Sequence, residues 1–154
     1  YIRRSRGYFA IGVSHPKTHE NIGTLLRSAD AFEAAYVFLI GRRFRKQASD
    51  VWSSWKRIPV FEFADVDKLR ESLPYSCPLV GVEIDPRAQP LSGFVHPERA
   101  CYLLGAEDHG LTAHERNRCH SLIVIPGSRC LNVASAGTVV MYDRAAKAEA
   151  RRIA

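Results

Sequence analysis

Short apolar runs recur along the chain, each stopped by a glycine, a proline or a polar turn. Phe9 to Val13 (FAIGV) is the first, bounded by Ser14-His15-Pro16, and reads as a buried strand with its stop signal. Ala35 to Ile40, closed by Gly41, reads as the second, and Pro59 to Phe63 as a short third. Leu79 to Ile84 (LVGVEI), Cys101 to Leu104 (ending at Gly105) and Leu122 to Ile125 supply three more. These runs are continuously apolar rather than alternating, which is the mark of strands covered on both faces.

Helical periodicity fills several of the intervals. Asn21 is placed to cap a helix whose apolar positions Ile22, Leu25, Leu26 and Ala29 follow i, i+3, i+4, i+7. Arg27 falls off that stripe and points away from the core. Asp65 caps a helix through about Ser72, ended by Leu73-Pro74. Thr112-Ala-His-Glu115 has the T-x-x-E form of a capping box and starts a short helix to about Cys119. Asn132 caps the last helix. From Val133 to Met141 that helix is apolar or small on every side, so it must be buried all round, within its own domain or against a second copy. A homodimer interface is the favoured reading. The interval RRFRKQASDVWSSWKR (42–57) is a polar, basic crossover holding two tryptophans, and Asp85 to Arg99 reads as loop. Strands alternating with helices predict an α/β fold: a mostly parallel sheet with helices on both faces, in one domain spanning 1–154.

Composition narrows the function classes. At 154 residues, 46% hydrophobic and 25% charged, the chain can build a proper core. No apolar run reaches the roughly 18–20 residues of a membrane span, and no signal-peptide pattern appears. The chain opens on Tyr1 rather than Met, which leaves its natural N-terminus open. The four cysteines form no C-x-x-C pair, and no His lies at zinc-ligand spacing, so a reducing cytoplasm and no metal site are expected. The formal net charge of +6 favours a polyanionic partner. Basic residues cluster at Arg3, Arg4 and Arg6, at Arg42, Arg43, Arg45 and Lys46, at Lys56 and Arg57, and at Arg151 and Arg152.

Candidate chemistry gathers where strands end in polar loops that feed helices, because backbone N–H groups are free there. Three stretches share that grammar: His19 to Phe32, Tyr102 to Thr112 and Ser121 to Arg144. The fingerprints G-x-G-x-x-G, G-x-x-x-x-G-K-[ST] and G-x-S-x-G are missing, which argues against a common dehydrogenase, a P-loop enzyme or an α/β-hydrolase. The titratable groups near the glycine-bearing loops are few: Arg27, Glu107, Asp108 and His109. Such a set suits a reaction in which positioning does most of the work, for instance group transfer from an activated donor.

N-I-G-x-x-x-R-S-A-x-A-F (Asn21 to Phe32), L-G-A-E-x-x-G-L (Leu104 to Leu111) and I-P-G-S-x-x-L-N-V (Ile125 to Val133) resemble the three ordered motifs of the SpoU/TrmH RNA methyltransferases, in the SPOUT superfamily. The resemblance runs from about Phe9 to Arg144. It implies a deep trefoil knot near the C-terminal end, S-adenosylmethionine as cofactor, a homodimer, and methyl transfer to a ribose 2′-hydroxyl of RNA, tRNA ahead of rRNA. Arg27 matches the family's catalytic arginine. Asn21, Glu107 and Asn132 match the polar residues of motifs one, two and three. Cofactor contacts carry over onto Val82 or Glu83, onto Leu104 and Gly105, and onto Ile125, Cys130 and Leu131. Arg42, Arg43, Arg45 and Lys46 would grip RNA phosphates. Cys130 and Ala134 stand where the family commonly has two serines. That departure keeps two alternatives in view: a non-catalytic knotted RNA-binding module, and a methyltransferase acting on a base nitrogen.

Overall fold

The computed structural model describes residues 7–50 and 53–154. Arg3, Arg4 and Arg6 of the first basic cluster, and Trp52 of the crossover, lie outside the described residues. Among the described residues, seven strands form one sheet in the order β3-β2-β1-β6-β4-β7-β5. Their ranges are β1 (Tyr8–Ser14), β2 (Tyr36–Ile40), β3 (Val60–Phe63), β4 (Leu79–Val82), β5 (Gln89–Pro90), β6 (Arg99–Leu104) and β7 (Ser121–Val124). Every neighbouring pair is parallel. The α-helices among the described residues are α1 (His19–Ala31), α2 (Val66–Ser72), α3 (Ala113–Arg118) and α4 (Val133–Ile153).

The two faces of the sheet carry separate cores, sorted by the two-residue period of each strand. Phe9, Ile11 and Val13 of β1, with Tyr102 and Leu104 of β6, pack with Leu25, Leu26 and Ala29 of α1 and Val133, Ala134, Val140 and Met141 of α4. The intervening Ala10, Cys101 and Leu103 face Val66 and Leu69 of α2 and Leu111. The α/β expectation with both faces covered is therefore met. β1 and β6 lie at the sheet's centre, so their C-terminal ends open between the helices. That is where ligands bind in open α/β sheets.

Several boundaries differ from the sequence reading, each for a local reason. Helix α1 begins at His19, with Thr18 in the extended N-cap position, so Asn21 lies inside the first turn instead of capping it. The Asn21 amide is taken by longer-range partners described below. β4 stops at Val82, and Ile84 is exposed. The stretch read as loop from Asp85 to Arg99 contains β5 and the first residue of β6. Two residues pairing on one edge leave no periodic signal in the sequence. The other caps match: Asp65 accepts from the Lys68 N–H, Thr112 and Glu115 form the capping box, and Asn132 accepts from the Ala134 and Ser135 N–H groups.

Helix α4 is not buried all round within the chain. Val133, Ala134, Gly137, Val140 and Met141 face the core, and Gly137 lets it approach closely: a Cβ there would stand 2.5 Å from a Leu25 methyl. Ser135, Val139 and Tyr142, at i, i+4 and i+7, form an exposed stripe on the opposite side.

Candidate active site

All three motif stretches meet at the C-terminal end of the central strands. Asn21, in the first turn of α1, donates from Nδ2 to Glu107 Oε1 at 2.7 Å. Its Oδ1 accepts from Asn132 Nδ2 at 2.9 Å. The second Glu107 oxygen accepts from the Lys17 backbone N–H at 3.0 Å. One side chain from each motif thus joins a single hydrogen-bonded chain. Burial disfavours the charge on Glu107, but the bonds from Asn21 and from backbone N–H groups outweigh it and hold its pKa below the ordinary value. Asp108 beside it is also held low, by the Lys17 ammonium at 2.7 Å.

Behind this chain lies a cleft of about 490 Å³, within the range of roughly 300–1,000 Å³ seen for small-molecule sites. Val82, Glu83, Leu104, Gly105, Ile125, Cys130 and Leu131 all line it, so the structure brings the candidate cofactor residues together. Glu107 lines it too. Its walls are the ends of β4, β6 and β7 and the start of α4.

Two features of the cleft follow from backbone geometry. The loop after β6 doubles back, with the Gly110 N–H bonded to Ala106 O at 2.9 Å. A Cβ on Gly105 would stand 2.3 Å from the Gly110 backbone, so that position must be glycine. Gly110 has φ +63°, in the left-handed region that favours glycine. Glu83 Oε2 accepts from the Leu111 N–H at 2.6 Å and Oε1 from the Ile84 N–H at 2.8 Å. Glu83 therefore latches the second motif's loop to the end of β4, a role the sequence did not reveal. Residues 127–131, by contrast, make no backbone hydrogen bond to any other described residue. These residues are exposed, and Gly127, Arg129, Cys130 and Leu131 line the cleft, so their backbone donors and acceptors face solvent and are open to a ligand.

The remaining candidates lie elsewhere. Arg27 is exposed on α1 and is not among the residues lining the cleft. Arg42 is half-buried: Nη1 donates to Pro16 O and Lys17 O, each at 2.5 Å, and Nε lies 3.2 Å from His19 Nε2. That guanidinium fixes the loop that presents Lys17 to Glu107 and does not project into solvent. Arg43, Arg45 and Lys46 are exposed. Glu115 is buried in the capping box and also accepts from Ser14 Oγ, as a structural acid would. Among the described residues no group of His, Cys, Asp or Glu could hold a metal ion.

The profile of the SpoU rRNA Methylase family matches residues 8–142. The chain belongs to that family. Its fold is shared with solved relatives of low identity. The methyltransferase AviRb from Streptomyces viridochromogenes, solved in complex with the cofactor AdoMet, is 23% identical with a TM-score of 0.80, over 96% of this chain and 60% of that one. The TrmH/SpoU tRNA modifying enzyme of A. aeolicus is 18% identical with a TM-score of 0.84, over 96% of this chain and 78% of that one. A structure concerned with 2-OH methylation of C/U34 on tRNA is 21% identical with a TM-score of 0.76, over 91% of this chain and 95% of that one. This chain therefore spans less than two thirds of AviRb. Comparison by sequence with curated proteins returned no match. Among the described residues of this SpoU-family chain, no helix is long and apolar enough to cross a membrane.

Proposed function

We propose that the chain is an S-adenosylmethionine-dependent RNA methyltransferase that modifies a ribose 2′-hydroxyl, with tRNA as the preferred substrate class. The observation that carries this reading is the convergence of three motif loops, tied by Asn21, Glu107 and Asn132, on a cleft with an unpaired backbone run along one wall. The preference for tRNA is supported by the neighbour concerned with 2-OH methylation of C/U34 on tRNA, of which this chain spans 95%.

The cleft fits the cofactor chemically. Leu104, Ile125, Leu131 and Val133 offer an apolar slot for an adenine ring, and residues 127–131 offer backbone groups for its polar edge. When bound, S-adenosylmethionine supplies an electrophilic methyl group on a positively charged sulfur. Glu107 and Asp108, both ionised at neutral pH, line the cleft and favour a cation there. Asn132 and Asn21 keep the Glu107 carboxylate in place.

Arg27 is exposed on α1 and does not line the cleft of its own chain, and we infer that it serves the cleft of a second chain. The exposed stripe of Ser135, Val139 and Tyr142 supports such a homodimer. A guanidinium with a pKa above about 12 is a poor base. The role we assign Arg27 is to hold the target phosphate and orient the 2′-hydroxyl. Arg43, Arg45 and Lys46 add phosphate contacts, which are sequence-blind and salt-sensitive. β7 pairs with both β4 and β5, so a later strand sits between two earlier ones. This insertion supports a C-terminal knot. We place the protein in the cytoplasm.

The test is to incubate RNA with the protein and labelled S-adenosylmethionine, digest it, and identify the labelled nucleoside. A 2′-O-methyl nucleoside is expected, and Arg27→Ala should abolish its formation with cofactor affinity nearly intact. A labelled base would move the activity to base-nitrogen methylation. Absence of label would favour the non-catalytic RNA-binding module.

A further inference from the structure

The crossover between β2 and β3 is tied down along the outer side of α1. Ser49 Oγ donates to Glu20 O at 2.8 Å, and a Cβ on Gly23 would stand 2.7 Å from Gln47 Cβ. Ser54 Oγ and the Arg57 guanidinium both donate to Asp30. Gly23, Arg27 and Asp30 stand at i, i+4 and i+7 and so share one stripe of the helix. Arg27 is therefore exposed between two points where the crossover is fastened.

Apart from Arg42 and Arg57, the cations of this segment are not used in fastening it. Among the described residues, Arg43, Arg45, Lys46 and Lys56 form no ion pair with a carboxylate, and all four are exposed. The segment's own acid, Asp50, is buried and accepts from the Trp55 N–H. Two of these cations, Lys46 and Lys56, stand over one indole. Trp55 packs partly against the core beneath α1 and is half-buried. The Lys46 ammonium stands 3.8 Å from its ring centroid, and the Lys56 ammonium 5.4 Å. An exposed lysine can lie over an indole only where that face is open to the surface. A cation held over an exposed ring is bound weakly. A stacked nucleobase contributes about 5- to 150-fold in affinity, and so can take the lysine's place.

We propose that this crossover is the RNA-docking face of the chain and that Trp55 is its stacking platform. An unpaired base of single-stranded or loop RNA displaces the Lys46 ammonium from the indole, while Arg43, Arg45 and Lys56 take the flanking phosphates. Base stacking needs an unstacked partner, so the face selects loops over duplex. Arg27, on the same side of α1, then lies on the path of the bound strand. The inference rests on the RNA-methyltransferase reading of the cleft.

The experiment is fluorescence anisotropy at low salt, with the full chain and two labelled probes: a hairpin with an open unpaired loop, and a fully paired duplex of equal charge. The wild type is expected to prefer the hairpin. Trp55→Leu keeps apolar bulk against the core but has no aromatic face. It should lose about fivefold or more on the hairpin, little on the duplex, and nothing in S-adenosylmethionine affinity. Trp55→Phe should restore most of the hairpin binding. With Trp52→Phe as background, hairpin RNA should quench the remaining indole fluorescence over the concentration range of the anisotropy change. Equal losses on both probes, or no quenching as the hairpin binds, would overturn the platform. The cleft reading would survive that result if methyl transfer persists. A wild type that binds neither probe and transfers no methyl group would overturn both.

Discussion

The two ends of the central sheet treat their polar groups in opposite ways. At the N-terminal end of β6, His96, Tyr102, Asp143, Arg144 and Lys147 form a closed network. Arg144 donates to the Tyr102 hydroxyl at 3.1 Å and to Pro97 O at 2.7 Å. The Tyr102 hydroxyl lies 2.6 Å from His96 Nδ1, and His96 Nε2 lies 2.7 Å from Asp143 Oδ2. Because Arg144 already donates to the phenol, the phenol's proton points to His96, and a neutral His96 carries its own proton on Nε2. Lys147 closes the set through Asp143, Leu91 O and Phe94 O. At the C-terminal end the chain of Asn21, Glu107 and Asn132 borders an exposed wall, residues 127–131, whose backbone groups bond to no backbone group among the described residues. A closed network fixes α4 on the sheet. An open one is built to receive something.

The open end is most sensitive to substitution at Gly110. A β-branched residue at φ +63° costs roughly 1–3 kcal/mol in backbone strain. Its Cβ would also stand 2.2 Å from Glu83 Oε2 and push away the carboxylate that holds Leu111. Gly110→Val should therefore weaken S-adenosylmethionine binding by tenfold or more, an effect of about 1.4 kcal/mol or above, read by calorimetry. Wild-type affinity in that variant would remove the loop from the site.

Tyr102→Phe strikes the closed end instead. It leaves His96 Nδ1 without a donor in a buried setting, which should lower stability by about 1–3 kcal/mol in urea unfolding. Cofactor affinity should not change. A loss of affinity equal to that of Gly110→Val would erase the distinction between the two ends.

At Asn132 two substitutions separate two jobs. Asn132→Ala removes the cap of α4 and should cost about 1 kcal/mol. Asn132→Asp keeps the acceptor for Ala134 and Ser135 but loses the donor to Asn21. The aspartate should retain the stability and lose cofactor affinity. If the two variants are equally unstable, the link to Asn21 carries the structural role as well.

Acidification is the gentlest perturbation. Burial lowers the pKa of His96 below 6.5, with Asp143 opposing and Arg144 and Lys147 assisting. Burial likewise lowers that of His120, whose Nδ1 accepts from the Leu79 N–H. In both cases the unfolded chain takes up protons first. Stability should therefore fall as pH drops from about 6.5 toward the lowered folded values, because the unfolded state binds more protons there. Urea midpoints at pH 7.5 and near pH 5.5, a choice set by the ordinary His value of about 6.5, should show the decline. Constant midpoints would mean that neither ring is held neutral by the fold.

Much of this arrangement was legible in the sequence. Continuous apolar runs gave the strands, and the caps at Asp65, Thr112 and Asn132 are local chemistry that works wherever the helix packs. The candidate cofactor residues that line the cleft came from the resemblance to the SpoU/TrmH family, carried over position by position. What escaped was non-local. Asn21 looks like a cap, and only a contact across 86 positions shows that its amide serves Glu107. Arg42 belongs to a basic run, yet its guanidinium is bound to two carbonyls 25 and 26 positions earlier. Glu83 looks like the end of a strand and acts as a latch. Strand β5 is too short to have a period. Helix α4 lacks a polar face in sequence because its outer stripe, Val139 and Tyr142, is apolar although exposed.

The central claim is that the open end of the sheet is one preformed cofactor site built by three motif loops. Calorimetric titration of S-adenosylmethionine into the full chain tests it most directly. Saturable binding is expected, lost in Gly110→Val and kept in Tyr102→Phe. No heat of binding at millimolar cofactor, or equal loss in both variants, would contradict it.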